Sequence, residues 1–304
     1  MRALLRHCIE FCFKHGPYRG IILGNHTQGE QEVAEEVSAL APYVEFIHHD
    51  RISSRIRKKP ARPFCLLTFD DGKKSCVDSA APALERLGVP AVFYLVTAAV
   101  SSNRPLWFDR RNALVRHLGR TPAALRRDAL KNMCLADINA RLDQFFQDCP
   151  PDLVDMNDPH IASMSWDDAR HLAQKGFTIG AHTITHPILT NETDTQARAE
   201  VAGSIARVAR EVGKCPSFAF PNGNYTRELA EYAGTCGVET AMTAVPVWVG
   251  RQSPLLCLPR IDIYNHYSRK KIRVKLAAAL PGCLLKNPDG TGRTYVLEKW
   301  FGPG

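Results

Sequence analysis

Residues 63–72 read PFCLLTFDDG, and the rest of the chain is interpreted from this stretch. The apolar run 64–69 lies between Pro63 and a turn ending in glycine, a pattern typical of a buried strand. The run ends in two adjacent carboxylates, Asp70 and Asp71, and the relaxed pleat at a strand end lets both reach one site. Neighbouring carboxylates repel each other unless a cation or a proton separates their roles. The stretch alone predicts either such a site or an ordinary Asp-Asp-Gly turn.

A second motif, GAHTITHP over residues 180–187, supplies partners for these carboxylates. His182 and His186 follow the apolar run 177–179, and Pro187 excludes a long helix. A single turn would still bring both imidazoles to one side. Histidine is the commonest metal ligand, and one carboxylate with two imidazoles leaves positions open on a divalent ion. Together the two motifs favour a metal site over a structural role for either one.

Composition limits the class of protein and its partners. The chain has 304 residues, of which 45% are hydrophobic and 23% charged, as in a soluble globular protein with a sizeable core. The net charge of +8 indicates an anionic partner, such as a phosphorylated glycolipid or a membrane surface. No RNA-recognition, zinc-finger or basic-zipper pattern is present, so we do not expect nucleic-acid binding.

The cysteines and the chain start predict a cytoplasmic protein. None of the ten cysteines forms a CxxC pair, which fits a reducing compartment better than a disulfide framework. The first residues, MRALLRHCIEFCFKHG, make a poor signal peptide because charges interrupt the apolar stretch. Residues 268–286, SRKKIRVKLAAALPGCLLK, suit peripheral contact with the inner face of a membrane; packing on the barrel as a closing helix is the alternative.

Strand-like and helix-like segments alternate along the chain, which predicts an α/β fold with a parallel sheet. Their number and the chain length favour a single barrel over an open sheet. We divide the chain into an N-terminal arm (1–18), a barrel (19–281) and a C-terminal tail (282–304). Residues 101–164 break the alternation and are interpreted as an insertion near the barrel mouth, forming a lid or a substrate wall.

Several polar residues follow predicted strands: His26, Asp70, Asp71, His182, His186, Pro221 and Arg260. Because the carboxyl ends of barrel strands share one face, we expect these positions to converge there.

Four motifs in order carry a family resemblance: TFDDG (68–72), HTITH (182–186), FAFPNG (218–223) and LPRI (258–261). They resemble the polysaccharide deacetylase family, also called the NodB homology family, over about residues 20–280. The resemblance implies a single distorted (β/α) barrel of about seven strands. The resemblance implies a metal-dependent hydrolase that removes an N-acyl group, most often acetyl, from an amino sugar, glycan or glycolipid.

The resemblance also implies roles for individual residues. Asp71, His182 and His186 would hold a divalent metal, commonly zinc in this family, and Asp70 would be the general base. The substrate-binding residues would be Phe220, Pro221, Asn222, Gly223 and Tyr225. The better-known family pattern begins the FAFPNG motif with an arginine that restrains the base. That arginine is missing here, and Arg260 is our candidate replacement.

His26 is the candidate general acid, by resemblance to relatives whose barrel is circularly permuted. In many deacetylases this histidine follows a late strand, where His266 is the only candidate and lies in polar sequence. RGIILGNH, residues 19–26, is instead an apolar strand followed by histidine at the start of the barrel. First and last strands are neighbours in a closed barrel, so the position in space is kept. Imidazole is suited to protonating the departing amine.

Three other functions stay open. Two histidines and a carboxylate also form the facial triad of non-haem iron enzymes, although those usually have all-β scaffolds. A non-catalytic sugar-binding barrel is disfavoured by the intact Asp pair. Some relatives cleave other non-peptide C–N bonds, such as formyl groups on lipid-linked sugars or cyclic ureides.

Overall fold

The segment 64–69 forms a central strand of a mainly parallel sheet in the computed structural model, which describes residues 13, 17–102, 104–264 and 267–279. The strands are β1 (Tyr18–Asn25), β2 (Glu45–Phe46), β3 (Phe64–Phe69), β4 (Ala91–Leu95), β5 (Thr178–Ala181), β6 (Ser217–Ala219), β7 (Thr240–Met242), β8 (Val249–Gly250) and β9 (Ile261–Asp262). Paired strands follow the order β7, β6, β5, β4, β3, β1, β8, with β2 also beside β3 and β9 beside β1. All these pairings are parallel except that of β1 with β8.

Residues 258–262 join the two ends of this sheet. Leu258 pairs with Met242 of β7, and Ile261 pairs with Leu23 of β1, both in parallel. The sheet is therefore closed into a barrel whose wall consists of β1, β3 to β7 and the segment 258–262. This confirms the predicted (β/α) barrel of about seven strands.

Alternate side chains of the strands fill the barrel interior. Ile22, Leu66, Val92 and Met242 are fully buried there in one apolar cluster. The intervening residues of the same strands belong to a second, larger cluster beneath the surrounding helices. Because both faces of each strand are buried, a central strand such as β3 consists almost entirely of apolar residues.

The helices surround the barrel and connect its strands. They are α1 (Glu30–Leu40), α2 (Ile52–Arg57), α3 (Ala81–Leu87), α4 (Trp107–His117), α5 (Arg127–Leu130), α6 (Leu135–Phe146), α7 (Trp166–Gln174), α8 (Asp194–Val212), α9 (Arg227–Thr235) and α10 (Arg269–Ala279). Helix α8 begins with a capping box in which Thr193 accepts from the backbone N–H of Gln196. No helix among the described residues is long and apolar enough to cross a membrane.

Helices α4, α5 and α6 come from the predicted insertion, residues 101–164, whose boundaries remain a prediction. They pack around an apolar cluster of their own that contains Leu114, Leu130 and Leu142. Ile188, which follows the HTITH motif, belongs to the same cluster. The segment is therefore packed directly onto the predicted site.

Helix α10 covers the outside of the barrel next to α1. Its residues Ile272, Leu276 and Ala279 are buried, and Leu276 O accepts a hydrogen bond from the indole N–H of Trp248. The described part of the helix thus packs as a closing helix. The predicted C-terminal tail, most of the N-terminal arm and His266 lie outside the described residues.

Candidate metal centre and active-site cleft

The turn after β3 places the two aspartates at the barrel mouth. Asp70 donates its backbone N–H to Asn25 O, which continues the pairing of β3 with β1. Asp71 and Gly72 then both adopt positive φ, 71° and 64°. This sharp turn ends the strand and lets the side chains of Asp70 and Asp71 both line one cleft. Aspartate is among the few residues that tolerate this left-handed region.

The HTITH motif forms a tight turn without helix. Thr183 and His186 have positive φ values of 68° and 62°, and Thr183 Oγ1 accepts the backbone N–H of His186. The Glu200 carboxylate on α8 accepts the backbone N–H groups of Ile184 and Thr185. Strained backbone of this kind costs about 1–3 kcal/mol per residue and concentrates at functional sites.

Asp71, His182 and His186 form a buried cluster whose candidate ligand atoms lie within 4.8 Å of one another. Asp71 Oδ1 is 3.7 Å from His182 Nε2 and 3.4 Å from His186 Nε2. His182 Nδ1 lies 2.7 Å from Ala219 O, and because a carbonyl only accepts, this nitrogen carries the proton. The lone pair of His182 Nε2 is therefore directed to the cluster.

The chemistry of this donor set fits a divalent cation. Burial lowers the pKa of His182 to about 4 and that of His186 to about 3, so both imidazoles are neutral. Asp71 Oδ1 is buried and makes no hydrogen bond to any described residue. Buried lone pairs that face one another without a donor are costly unless a cation lies between them.

Asp70 is held in a different environment by Arg260. Its Oδ1 and Oδ2 accept hydrogen bonds of 2.7 and 2.6 Å from the two terminal nitrogens of the guanidinium. Burial by itself would raise the pKa of Asp70, but the charge of Arg260 outweighs it and holds the pKa well below its usual range. Asp70 Oδ2 also lies 3.8 Å from His182 Nε2, so an ionised carboxylate borders the metal cluster.

His26 also lies beside Asp70. It follows β1, its side chain is 38% exposed, and its Nε2 is 4.0 Å from Asp70 Oδ2. The backbone N–H of His26 donates to Gln28 Oε1, and Gln28 Nε2 donates to Asn25 Oδ1. These contacts fix the end of β1 at the cleft and leave the imidazole accessible.

Most of the predicted site residues line one cleft of about 480 Å³: His26, Asp70, Asp71, His182, His186, Asn222, Gly223 and Arg260. Phe220, Pro221 and Tyr225 do not line it. Phe220 is fully buried and packs against the rings of Phe218 and Tyr225. These aromatic residues therefore pack behind the wall of the cleft. Successive side chains of a strand point to opposite faces, and these rings lie on the face turned away from the cleft.

Four residues that the sequence did not mark as site residues hold the cluster of Asp71, His182 and His186 in place. Trp107 Nε1 donates to His186 O, and the Phe108 ring lies 5.1 Å from the imidazole of His186. Lys73, only 1% exposed, donates to Asp109 Oδ2 and pairs the Asp-Asp-Gly turn with α4. The signal available in the sequence was the aromatic pair followed by a carboxylate, together with lysine directly after the turn.

The barrel and the buried cluster at its mouth define an enzyme of the (β/α) barrel class. Residues 57–241 match the family model described as polysaccharide deacetylase, so the chain belongs to the polysaccharide deacetylase family. This makes it a hydrolase that removes N-acyl groups from carbohydrate, which sets aside the non-haem iron and non-catalytic alternatives. The family generally uses a divalent metal.

Solved structures share this fold. The Streptococcus pyogenes deacetylase PplD in complex with acetate is 15% identical with a TM-score of 0.60, over 86% of this chain and 99% of that chain. IcaB from Ammonifex degensii is 16% identical with a TM-score of 0.59, over 85% and 97%. The BpsB deacetylase domain from Bordetella bronchiseptica is 18% identical with a TM-score of 0.53, over 81% and 96%. No curated protein matches the chain.

The buried pair of Lys73 and Asp109 gives a test of how α4 is attached. Lys73→Met should lower the free energy of unfolding by about 3–5 kcal/mol, because it leaves Asp109 buried without its cation. The double variant Lys73→Met/Asp109→Leu should recover most of this loss, because no charge is then left unpaired. Urea unfolding measures both. Equal stability of wild type and Lys73→Met would contradict the contact.

Proposed function

We propose that this N-deacetylase works with a divalent cation held by Asp71, His182 and His186, and that this cation is zinc. One arrangement of side chains carries the proposal. Asp71, His182 and His186 bring together two neutral imidazoles and a buried carboxylate oxygen that has no hydrogen-bond donor among the described residues. Asp70 lies beside them in the same cleft, ionised and paired separately with Arg260. Nitrogen and oxygen donors of this kind suit zinc, and three protein ligands leave positions open. When bound, the cation would lower the pKa of a water molecule and polarise the scissile carbonyl.

Asp70 is the proposed general base. Both of its oxygens are occupied by Arg260, which fixes the plane of the carboxylate and keeps it charged. Because Oδ2 borders the metal cluster, Asp70 can accept the proton that an attacking water loses. The same guanidinium lowers the proton affinity of Asp70, so the proton is readily passed on.

His26 is the proposed general acid. An imidazole can donate a proton near neutral pH, and breaking an amide bond requires protonation of the leaving amine. The position of His26, 4.0 Å from Asp70 Oδ2 and partly exposed, supports delivery of a proton to an amine that departs toward solvent.

Asn222 and Gly223 are the proposed substrate contacts. Asn222 lines the cleft, and its buried Nδ2 makes no hydrogen bond to any described residue. An amide donor in this state is stabilised by a substrate oxygen. Gly223 has a φ of 72°, and a Cβ there would lie 2.4 Å from Ala244 N, so the turn that presents Asn222 requires glycine.

We place this activity in a reducing compartment, the cytoplasm. Cys65, Cys76 and Cys215 are buried free thiols, and burial raises the pKa of Cys76 and Cys215 to about 12. Buried unpaired thiols are typical of such compartments. We also propose that residues 269–271, exposed basic side chains at the start of α10, make peripheral contact with an anionic membrane surface.

Acyl release from a panel of N-acetylated and N-formylated amino sugars tests the activity. We expect acetate release that stops when a chelator removes the metal and returns when zinc is added, because Asp70 alone activates water poorly. Formate release in excess of acetate would assign the chain to the deformylase alternative. Unchanged turnover in metal-free protein would contradict the mechanism.

Substitution of the two aspartates separates their roles. Asp70→Asn should keep bound zinc and lower turnover by about 10²- to 10⁴-fold, because a proton acceptor is lost and no ligand is. Asp71→Asn should lose zinc. Metal analysis and turnover measure both, and circular dichroism checks folding because asparagine cannot match both donors of Arg260. Loss of zinc in Asp70→Asn alone would reverse the assignment.

His26→Ala should lower turnover by about 10²- to 10⁴-fold with zinc content unchanged, because the leaving amine loses its acid. His171→Ala on α7, an exposed histidine outside the cleft, is the matched control and should retain full activity. A fully active His26→Ala variant would remove His26 from the mechanism.

A further inference from the structure

The cleft extends from the metal cluster along α4 to a cationic end. Arg116, Arg127 and Lys131 line it together with the site residues. Helix α4 begins at the cluster, where Trp107 contacts His186. Arg116 is nine residues further along this helix, which corresponds to roughly 13 Å along its axis. The cationic end is thus separated from the cluster by a stretch of cleft in which a sugar ring fits.

Arg116 and Arg127 lack the carboxylate partners that neighbouring arginines have. Arg110 pairs with Asp143, and Arg126 pairs with Asp128. Neither Arg116 nor Arg127 forms an ion pair with another of the described residues. Within the described part of the chain, the charges of Arg116 and Arg127 are therefore not balanced by a paired carboxylate.

Arg111 adds to this accumulation of positive charge. It is tied to Leu125 O and to Asn112 Oδ1, which fixes its guanidinium between α4 and the start of α5. Burial lowers the pKa of Arg111, and the nearby charge of Arg127 lowers it further. Like-charged guanidiniums held this close are stabilised when an anion binds between or beside them.

The carboxylates of the cleft do not neutralise this end. Asp70 and Asp109 are paired with Arg260 and Lys73. Asp71 belongs to the metal cluster, so its charge is directed to the other end of the cleft.

Neither of the two remaining carboxylates that line the cleft, Asp158 and Asp262, forms an ion pair with Arg116 or Arg127. Asp158 Oδ1 accepts the backbone N–H of His160. Asp262 lies beside Arg260, since a Cβ added at Gly24 would meet both side chains.

We propose that the cleft takes an N-acyl amino sugar that carries a phosphoryl group, with the acyl group at the metal cluster and the phosphate against Arg116 and Arg127. This inference rests on the proposed deacetylase function and specifies its substrate. Guanidinium groups bind phosphate through two parallel hydrogen bonds. A phosphate monoester carries about −1.5 to −2 charges at neutral pH, and the oxygens of a phosphoryl group can accept from more than one guanidinium.

A matched pair of substrates tests the proposal on the zinc-loaded enzyme. Deacetylation of 4-acetamido-4-deoxyglucose 1-phosphate, in which the ring separates the acyl group from the phosphate, is compared with that of the neutral methyl 4-acetamido-4-deoxyglucoside. We expect the KM of the phosphorylated sugar to be about tenfold lower, from one charge-assisted contact, with similar kcat. Its KM should rise with added salt, because exposed charges are screened within about 8 Å at physiological ionic strength.

Charge removal at the cationic end supplies the second arm. Arg116→Gln/Arg127→Gln should raise the KM of the phosphorylated sugar about tenfold and leave the neutral sugar unchanged. Arg126→Gln is the matched control, because it removes the same charge from the adjacent, carboxylate-paired residue outside the cleft. A phosphorylated sugar with a polyprenyl tail in neutral detergent distinguishes the sources of the phosphate. A higher kcat/KM with the tail identifies a lipid-linked sugar, and an equal value identifies a soluble glycosyl phosphate.

Binding of 4-acetamido-4-deoxyglucose 1-phosphate by calorimetry separates this proposal from the deacetylase function. If neither sugar is deacetylated but the double variant weakens binding about tenfold, the anion site stands and the deacetylase function fails. Equal KM values for the two sugars, or equal effects of the double variant and Arg126→Gln, overturn the anion site while the deacetylase remains. Absence of both turnover and charge-dependent binding overturns both.

Discussion

The ion pair between Asp70 and Arg260 links the closure of the barrel to its chemistry. Asp70 follows the central strand β3, whereas Arg260 belongs to the segment 258–262 that joins the sheet ends. Two buried charges are tolerated only because each satisfies the other. The pairing that completes the barrel therefore also completes the site. Gly24 of β1 leaves the necessary room, because a Cβ there would lie 3.0 Å from Arg260 Nε.

The parts of the structure that the sequence predicted well follow from local rules. An apolar run on a strand buried on both faces has few alternatives, so β3 and the barrel class could be read directly. Polar residues at the ends of parallel strands meet at one edge, which is why Asp71, His182 and His186 could be grouped before their geometry was known. The usual arginine of the family is missing from the FAFPNG motif, so Arg260 was the candidate replacement. In the structure Arg260 donates two hydrogen bonds to Asp70.

The parts that the sequence did not predict depend on tertiary contacts. Phe220 beside a site motif has the appearance of a sugar platform, yet its side chain packs into the outer core, because it continues the alternation of β6 on the face opposite to Ala219. Trp107 contacts His186 and Asp109 contacts Lys73. Both contacts depend on the path of a long irregular segment, which the periodicity of the sequence does not determine. The sequence around Lys73 shows no pattern that would distinguish a lysine buried in an ion pair from a lysine exposed to solvent.

The contacts of α4 have a consequence for how this barrel can be divided. In sequence, residues 101–164 have the character of a module added to a complete fold. In the structure, replacing them with a short linker would leave Lys73 without its counterion, the carbonyl of His186 without its donor and Ile188 without its apolar cover. The segment 101–164 therefore supplies contacts on which the geometry of the site depends.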